Sequence, residues 1–210
     1  ILLAGIILNF NFIMGQQKIK ENEDYLFTIK TKYGEMKMVL FDKTPKHRDN
    51  FIKLVSEKFY DSTTFHRVIN NFMIQGGDPN TKPGGRNDMA GMGNVGYMID
   101  PEFVPEYTHV KGAVAAARTN NPQKRSSGCQ FYIVQNDNGA HFLDREYTVF
   151  GQVIAGFDVI DKISLVPKDN KDKPLENVYM TIRYEILDKS KISKLYNYDY
   201  NNPQNVDYKK

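Results

Sequence analysis

The 210-residue chain holds a single cysteine, Cys129, so an intramolecular disulfide is impossible and metal sites built on cysteine pairs are excluded. It has no long basic stripe: Lys and Arg are scattered and the net charge is only +3, which disfavours nucleic acid as a partner. The four histidines lack metal-ligand spacing. No internal repeat is apparent. No apolar run reaches the roughly 18 to 20 residues that span a bilayer. The longest, ILLAGIILNFNFIMG at residues 1–15, is interrupted by Asn9 and Asn11. What remains, 40% apolar and 25% charged, is the balance of an ordinary globular domain, long enough for one sizeable core.

Residues 1–15 carry no charge and are similar to the apolar region of a secretory signal, with Ile13 and Gly15 suitably placed before a cleavage site. The start at Ile rather than Met suggests that leading residues, with a positive segment, lie upstream. A buried N-terminal strand or helix is the alternative. The signal reading predicts export to the periplasm or cell surface, a mature start near Gln16, and no lipid-modified cysteine anchor. Residues 16–23 read as a polar, flexible lead-in.

Residues 25–31 and 35–41 read as a β-hairpin turning at Gly34. Thr44-Pro45 signals a helix start, a hydroxyl cap followed by Pro at the first position, and Phe51, Leu54 and Val55 continue it at helical spacing over residues 44–58. In residues 60–77, YDSTTFHRVINNFMIQGG, Asn70-Asn71 turns a second hairpin between strands at 64–69 and 72–75. Alternation then puts Phe65, Arg67 and Ile69 on one face, and Met73 and Gln75 together on the other strand. Residues 77–96, rich in Gly, Pro, Asn and Asp, form a long loop of the kind that often carries function. Strands follow at 112–117, 130–135, 147–153 and 178–187, with a short helix at 157–164. The Tyr-, Asn- and Lys-rich tail, residues 189–210, reads as disordered, with a surface-clinging strand on Tyr196, Tyr198 and Tyr200 as the second reading.

The run at residues 60–77 resembles the cyclophilin signature along its whole length. The resemblance continues through GAVAAAR (112–118), SSGCQFYIVQ (126–135), HFLDREYTVFGQV (141–153) and the closing strand, and so covers residues 24–188. It implies a mostly β fold: a closed eight-stranded antiparallel barrel capped by two α-helices, acting as a monomer on X-Pro bonds of polypeptides, similar to exported bacterial members. Such an isomerase needs no nucleophile, metal or cofactor. It faces a barrier of about 18–20 kcal/mol and has only to bind the twisted amide better than either planar form. A turnover near 10 s⁻¹ then asks for roughly 4 kcal/mol of differential stabilisation.

Arg67 fits the donor to the imide nitrogen, because a guanidinium stays protonated and offers several N–H groups. Taken alone, a strand arginine is more often a surface residue; the resemblance implies the catalytic role. Gln75 would fix Arg67 or bond the substrate backbone. Phe72 and Met73 would line the proline pocket, Ala117 would hold the peptide as an added strand, and Gln130 would supply a polar contact. Leu143 matches the pocket's aliphatic wall. Four positions depart from common family residues: Arg118 stands where several members have Asn, Tyr132 where many have Phe, Phe142 where many have Trp, and Tyr147 where many have His. The pocket stays aromatic and apolar, the added Tyr132 hydroxyl needs a partner, and cyclosporin should bind weakly at most.

Two other signals carry less. GMGNVG at residues 91–96 matches dinucleotide-binding spacing, yet no strand precedes it and Pro101 follows where a helix should run, so it reads as loop. Cys129 with His66, His109 or His141 would suit a cysteine hydrolase, but its apolar strand suits a small buried side chain better. His66 should face away from Arg67. A proline-binding module without turnover is the remaining alternative.

Overall fold

The computed structural model describes residues 19–208, and the signal-like segment lies outside the described residues. Ten strands and three α-helices follow one another: β1 Glu23–Thr31, β2 Gly34–Leu40, α1 Pro45–Ser56, β3 Thr63–Ile69, β4 Met73–Gly76, β5 Met98–Ile99, β6 Ala113–Ala116, β7 Ser126–Ser127, β8 Phe131–Val134, β9 Val149–Ala155, α2 Phe157–Ser164, β10 Val178–Asp188 and α3 Lys189–Tyr196. Eight strands close into an antiparallel barrel in the order β1-β10-β3-β4-β8-β6-β9-β2, while β5 and β7 form a separate ladder over the long loop. Closure leaves no strand edge open within the barrel.

Strand alternation divides the apolar residues between two faces. Phe27 and Ile29 of β1, Met36 and Met38 of β2, Phe65 of β3, Ile74 of β4, Phe131 and Ile133 of β8 and Met180 of β10 fill the interior, which Phe51 and Leu54 of α1 and Ile160 and Ile163 of α2 cap. Met73 of β4, Ala113 and Ala115 of β6, and Tyr132 and Val134 of β8 point the other way and form a second cluster. That outer face of β4–β8–β6 carries the site.

Helix α1 begins at Pro45 as expected, but Thr44 does not cap it; the Thr44 hydroxyl donates instead to the Phe41 carbonyl at 3.2 Å. Glu102, far away in sequence, takes that role. Its carboxylate accepts from the backbone N–H groups of Lys46 and His47, both at 3.0 Å, and lies 2.6 Å from His47 Nδ1. A carboxylate at a helix N-terminus satisfies orphan donors and complements the dipole. Burial pushes Glu102 up, but the His47 ring and these N–H groups outweigh it and leave its pKa lowered.

The tail departs most from expectation. As far as Tyr208 it is ordered: α3 makes a third helix where two were expected, and Ile192 and Tyr198 are buried against Leu26, Val39 and Ile154 on the outside of β1, β2 and β9. Burying two such side chains is worth about 2 kcal/mol each, enough to help hold a segment whose polar composition alone would leave it unfolded. The Tyr196–Tyr200 stretch turns through Asn197, in the left-handed conformation that ends α3, and is not a strand. At the other end, Ile19 packs on the core and Glu23 already belongs to β1, so little of the expected lead-in hangs free among the described residues.

Candidate active site

The β3–β4 hairpin turns at Asn71, whose φ of +58° is the left-handed conformation asparagine tolerates. The pairing shifts register between Phe65 and Arg67, with Phe65 opposite Gly76 and Arg67 opposite Gln75. This bulge breaks the expected alternation. Phe65 stays in the interior, whereas Arg67 emerges on the outer face beside Gln75. An extra residue in one strand re-aims the side chains after it. The displaced residue, His66, is buried with neither ring nitrogen hydrogen-bonded, and burial lowers its pKa, so it is a neutral packing group.

Arg67 is exposed and has no hydrogen-bond or ion-pair partner among the described residues. It borders a cavity of about 120 Å³ whose walls come from three strands and two loops. Phe72, Met73 and Gln75 come from the second half of the hairpin, Ala117 and Arg118 follow β6, Tyr132 lies on β8, and Leu143 and Tyr147 lie between β8 and β9. A neighbouring cavity of about 400 Å³ is lined by residues 91–94 and 96–98, Thr119, Ser127 and Gln130. Gln75, Ala117 and Arg118 form the wall the two share.

The structure therefore brings together ten of the eleven residues that the resemblance implied. The exception is Phe142. It borders neither cavity, is 73% exposed, and lies with its ring 5.6 Å from that of Phe72. Gln75 does not bond Arg67. Its amide donates to Gln130 Oε1 at 3.1 Å, and Gln130 donates in turn to the carbonyls of Gly91 and Gly93 at 3.0 and 2.8 Å. Arg118 is held by Glu146, through its Nε to the backbone carbonyl at 3.1 Å and Nη2 to the carboxylate at 3.3 Å, and lies 4.5 Å over the Tyr147 ring.

The glycines of residues 91–96 have a structural cause. Asp78, fully buried, accepts from the N–H groups of Asn80 at 2.7 Å, Gly91 at 2.5 Å and Gly93 at 3.0 Å. The chain passes so near that a Cβ on Gly93 would stand 1.9 Å from Asp78 Oδ1. The loop is thus anchored by a carboxylate and in turn supports Gln130. No phosphate-binding turn between strand and helix exists here; a two-residue strand follows the motif instead.

The Tyr132 hydroxyl meets a partner that its sequence neighbourhood does not reveal. It lies 2.9 Å from His109 Nε2, and His109 Nδ1 lies 2.7 Å from Asp144 Oδ1. A carboxylate only accepts, so Nδ1 carries the proton and Nε2 accepts from Tyr132. Burial lowers the His109 pKa despite Asp144, and hydrogen bonds from His109 and His141 hold Asp144 low against its own burial. The pair is neutral imidazole and carboxylate. Cys129 is buried, and burial pushes its thiol up to about 11, which removes the nucleophile that a hydrolase would need. Among the described residues no three His, Cys, Asp or Glu side chains gather to hold a metal ion, and no helix is long and apolar enough to cross a membrane.

What the site can do chemically is hold a small apolar group beside a cation that has no partner among the described residues. The smaller cavity lies well below the roughly 300–1,000 Å³ of sites that enclose whole small molecules, so it takes one side chain of a larger ligand. Known proteins agree. Residues 26–184 match the family described as cyclophilin type peptidyl-prolyl cis-trans isomerase/CLD. A Dictyostelium discoideum protein, peptidyl-prolyl cis-trans isomerase-like 3, is 35% identical over 155 residues, 73% of this chain and 90% of that protein. A Streptococcus pyogenes protein assigned as a bifunctional phosphatase/peptidyl-prolyl cis-trans isomerase is 38% identical over 179 residues, 72% of this chain but only 36% of that longer protein. The crystal structure of a Cryptosporidium parvum cyclophilin type peptidyl-prolyl cis-trans isomerase superposes with a TM-score of 0.68 at 30% identity, covering 78% of this chain and 98% of that one.

Proposed function

The chain belongs to the cyclophilin-type peptidyl-prolyl cis-trans isomerases, and from that premise we propose that it catalyses rotation about X-Pro bonds of polypeptides by a non-covalent mechanism centred on Arg67. The observation that carries the mechanism is the unpaired guanidinium beside a small apolar cavity. Proline's ring enters between Phe72, Met73, Tyr132 and Leu143, which exclude water. As the amide twists, the imide nitrogen regains a lone pair and Arg67 donates to it. That hydrogen bond exists only in the twisted state, so it lowers the barrier without tightening ground-state binding. Gln75, tied to Gln130, holds the peptide at the shared wall. The Ala117 N–H already donates to the Gln130 carbonyl and its carbonyl already accepts from Ser127 N–H, so Ala117 shapes that wall rather than pairing with the peptide as an added strand. The Cryptosporidium parvum relative has also been crystallised in the presence of the dipeptide Ala-Pro, a proline-containing molecule of the class proposed here.

The physiological task we assign is assistance to the folding of exported proteins, acting as a monomer in the periplasm or at the cell surface. Its support is the uncharged apolar segment at residues 1–15. Cyclosporin binds weakly in this reading, because Phe142 stands where many members have Trp and lies outside the cavity. Phe142→Trp should strengthen inhibition, and an unchanged inhibition constant would count against that correspondence.

The test is isomerisation of a short Ala-Pro-Phe peptide by the chain and by Arg67→Ala. Removing one transition-state donor should lower kcat/KM by about 10²–10³ while circular dichroism stays unchanged. A folded parent that binds the peptide without accelerating it would leave a proline-binding module instead. Full activity in Arg67→Ala would remove Arg67 from the mechanism.

A further inference from the structure

The C-terminal tail reaches the site through one side chain. Beyond α3 the chain returns along the barrel to Gln204, whose amide grips the backbone of Thr108 twice. The Thr108 N–H donates to Gln204 Oε1 and Gln204 Nε2 donates to the Thr108 carbonyl, both at 2.8 Å. Thr108 precedes His109, whose own backbone is held on the far side. Its N–H donates to Asp144 Oδ1 at 2.8 Å, and its carbonyl accepts from Ala140 N–H at 2.7 Å. The His109 ring then takes the Tyr132 hydroxyl inside the cavity wall. We infer that Gln204 is a positioning residue for the proline cavity: it fixes Thr108, and through it the His109 imidazole that orients Tyr132.

The inference rests on the reading of that cavity as the proline site. Three features support it beyond proximity. The grip uses both functional groups of the Gln204 amide, so it sets orientation as well as distance. Gln204 is hydrogen-bonded to Thr108, Thr108 is joined to His109 by the peptide bond, and the His109 ring is hydrogen-bonded to Tyr132; His109 is also fully buried, so a shift at Thr108 cannot be absorbed by solvent. The cover of the outer barrel face by Ile192 and Tyr198 does not depend on Gln204. The tail therefore has two separable jobs: packing through its apolar residues, and alignment through this amide.

The experiment is a double-mutant cycle on the full chain with Gln204→Ala and Tyr132→Phe, read as kcat/KM on the Ala-Pro-Phe peptide alongside melting temperature. Gln204→Ala alone should lower kcat/KM by about three- to tenfold, the effect of one or two neutral hydrogen bonds, and should cost nothing further once Tyr132→Phe has removed the hydroxyl. Equal losses in both backgrounds, or no loss in either, would overturn the inference, since the tail would then act elsewhere or only through stability. A second readout does not need turnover. Nitrogen-15 NMR of the His109 ring should show a protonated Nδ1 and an accepting Nε2 in the parent. Gln204→Ala should shift these resonances and speed exchange of the Tyr132 hydroxyl proton. Unchanged ring resonances and exchange would refute the relay even if the parent proved inactive, and an inactive parent whose ring does respond would refute only the assigned activity.

Discussion

A methyl group added at Gly93 should destabilise the chain more than one added at a glycine of more unusual backbone. Gly93 does not have a positive φ, yet its Cβ would stand 1.9 Å from Asp78 Oδ1 and 3.0 Å from Pro79 Cδ. The carboxylate cannot swing away cheaply, because it is buried and accepts from Asn80, Gly91 and Gly93. Hydrogen bonds to a charged group contribute about 1.5–3 kcal/mol each, so losing two of the three, with partial relaxation of the loop, puts the cost of Gly93→Ala near 3–5 kcal/mol. Gly84 is the control. Its φ is +76° and an added Cβ would meet nothing within 4 Å, so Gly84→Ala meets only the left-handed penalty of about 1 kcal/mol. Urea unfolding monitored by tyrosine fluorescence measures both. The same Gly93 variant should lose peptide isomerisation, since the Gly91 and Gly93 carbonyls hold Gln130 and Gln130 holds Gln75. Equal costs for the two variants, or less than about 1 kcal/mol for Gly93→Ala, would refute the view that the buried carboxylate dictates this glycine.

Glu102→Gln keeps an acceptor oxygen but loses the charge that faces His47 and the start of α1; it should destabilise by about 1–2 kcal/mol, a fall of several degrees in Tm, with little change in peptide turnover. Stability should also fall with acid in two steps. His66 and His109 are held neutral by burial, with folded pKa values below the ordinary 6.5, so the unfolded chain takes up protons first and their contribution, full above about pH 6.5, is lost as pH falls toward their folded values. Glu102 and Asp144, both lowered, add a second loss below about pH 4.5. A Tm that stays flat from pH 7 to pH 5 would contradict the first step. Cys129, with its thiol pushed up to about 11, should resist iodoacetamide at neutral pH until denaturant is added; rapid labelling of the native chain would mean that the strand opens readily in the folded state.

Much of the barrel was legible because most of its strands carry local signals: the first hairpin, although its turn falls at Lys32–Tyr33 and Gly34 already opens β2, the Asn71 turn, the Pro45 helix start, and α2, whose bounds match the sequence reading. What was not legible depends on partners distant in sequence. Nothing near Thr44 announces that Glu102 will cap α1. Period-two reasoning cannot foresee the register shift at His66, and so misassigned Phe65 to the face of Arg67. For the site, the resemblance, not residue chemistry alone, named the walls of the cavity, while Phe142 lies outside it because its place depends on a short 3₁₀ turn, His141–Leu143, that points it outward against Phe72. His109, Asp144 and Asp78 support the site from behind and lie in segments without periodicity. The tail did leave a trace. Leu26, Val39 and Ile154 are apolar on faces that alternation assigns to solvent, which means that something must cover them. Three outward apolar residues on neighbouring strands were better evidence for an ordered tail than the polar composition of residues 189–210 was against one.

Barrel closure joins the first strand to the last: β1 pairs with β10 from Glu23 opposite Asp188 to Lys30 opposite Thr181. During synthesis, β1 can pair with β2 at once, but its other edge waits until β10 has left the ribosome. At about 5–20 residues per second, that is roughly 10–30 seconds in which a hydrophobic strand shows an unpaired edge. A nascent or truncated chain that stops short of β10 is therefore a template for edge-to-edge aggregation, and a protein whose family eases the slow steps of other chains carries a slow, exposed step in its own.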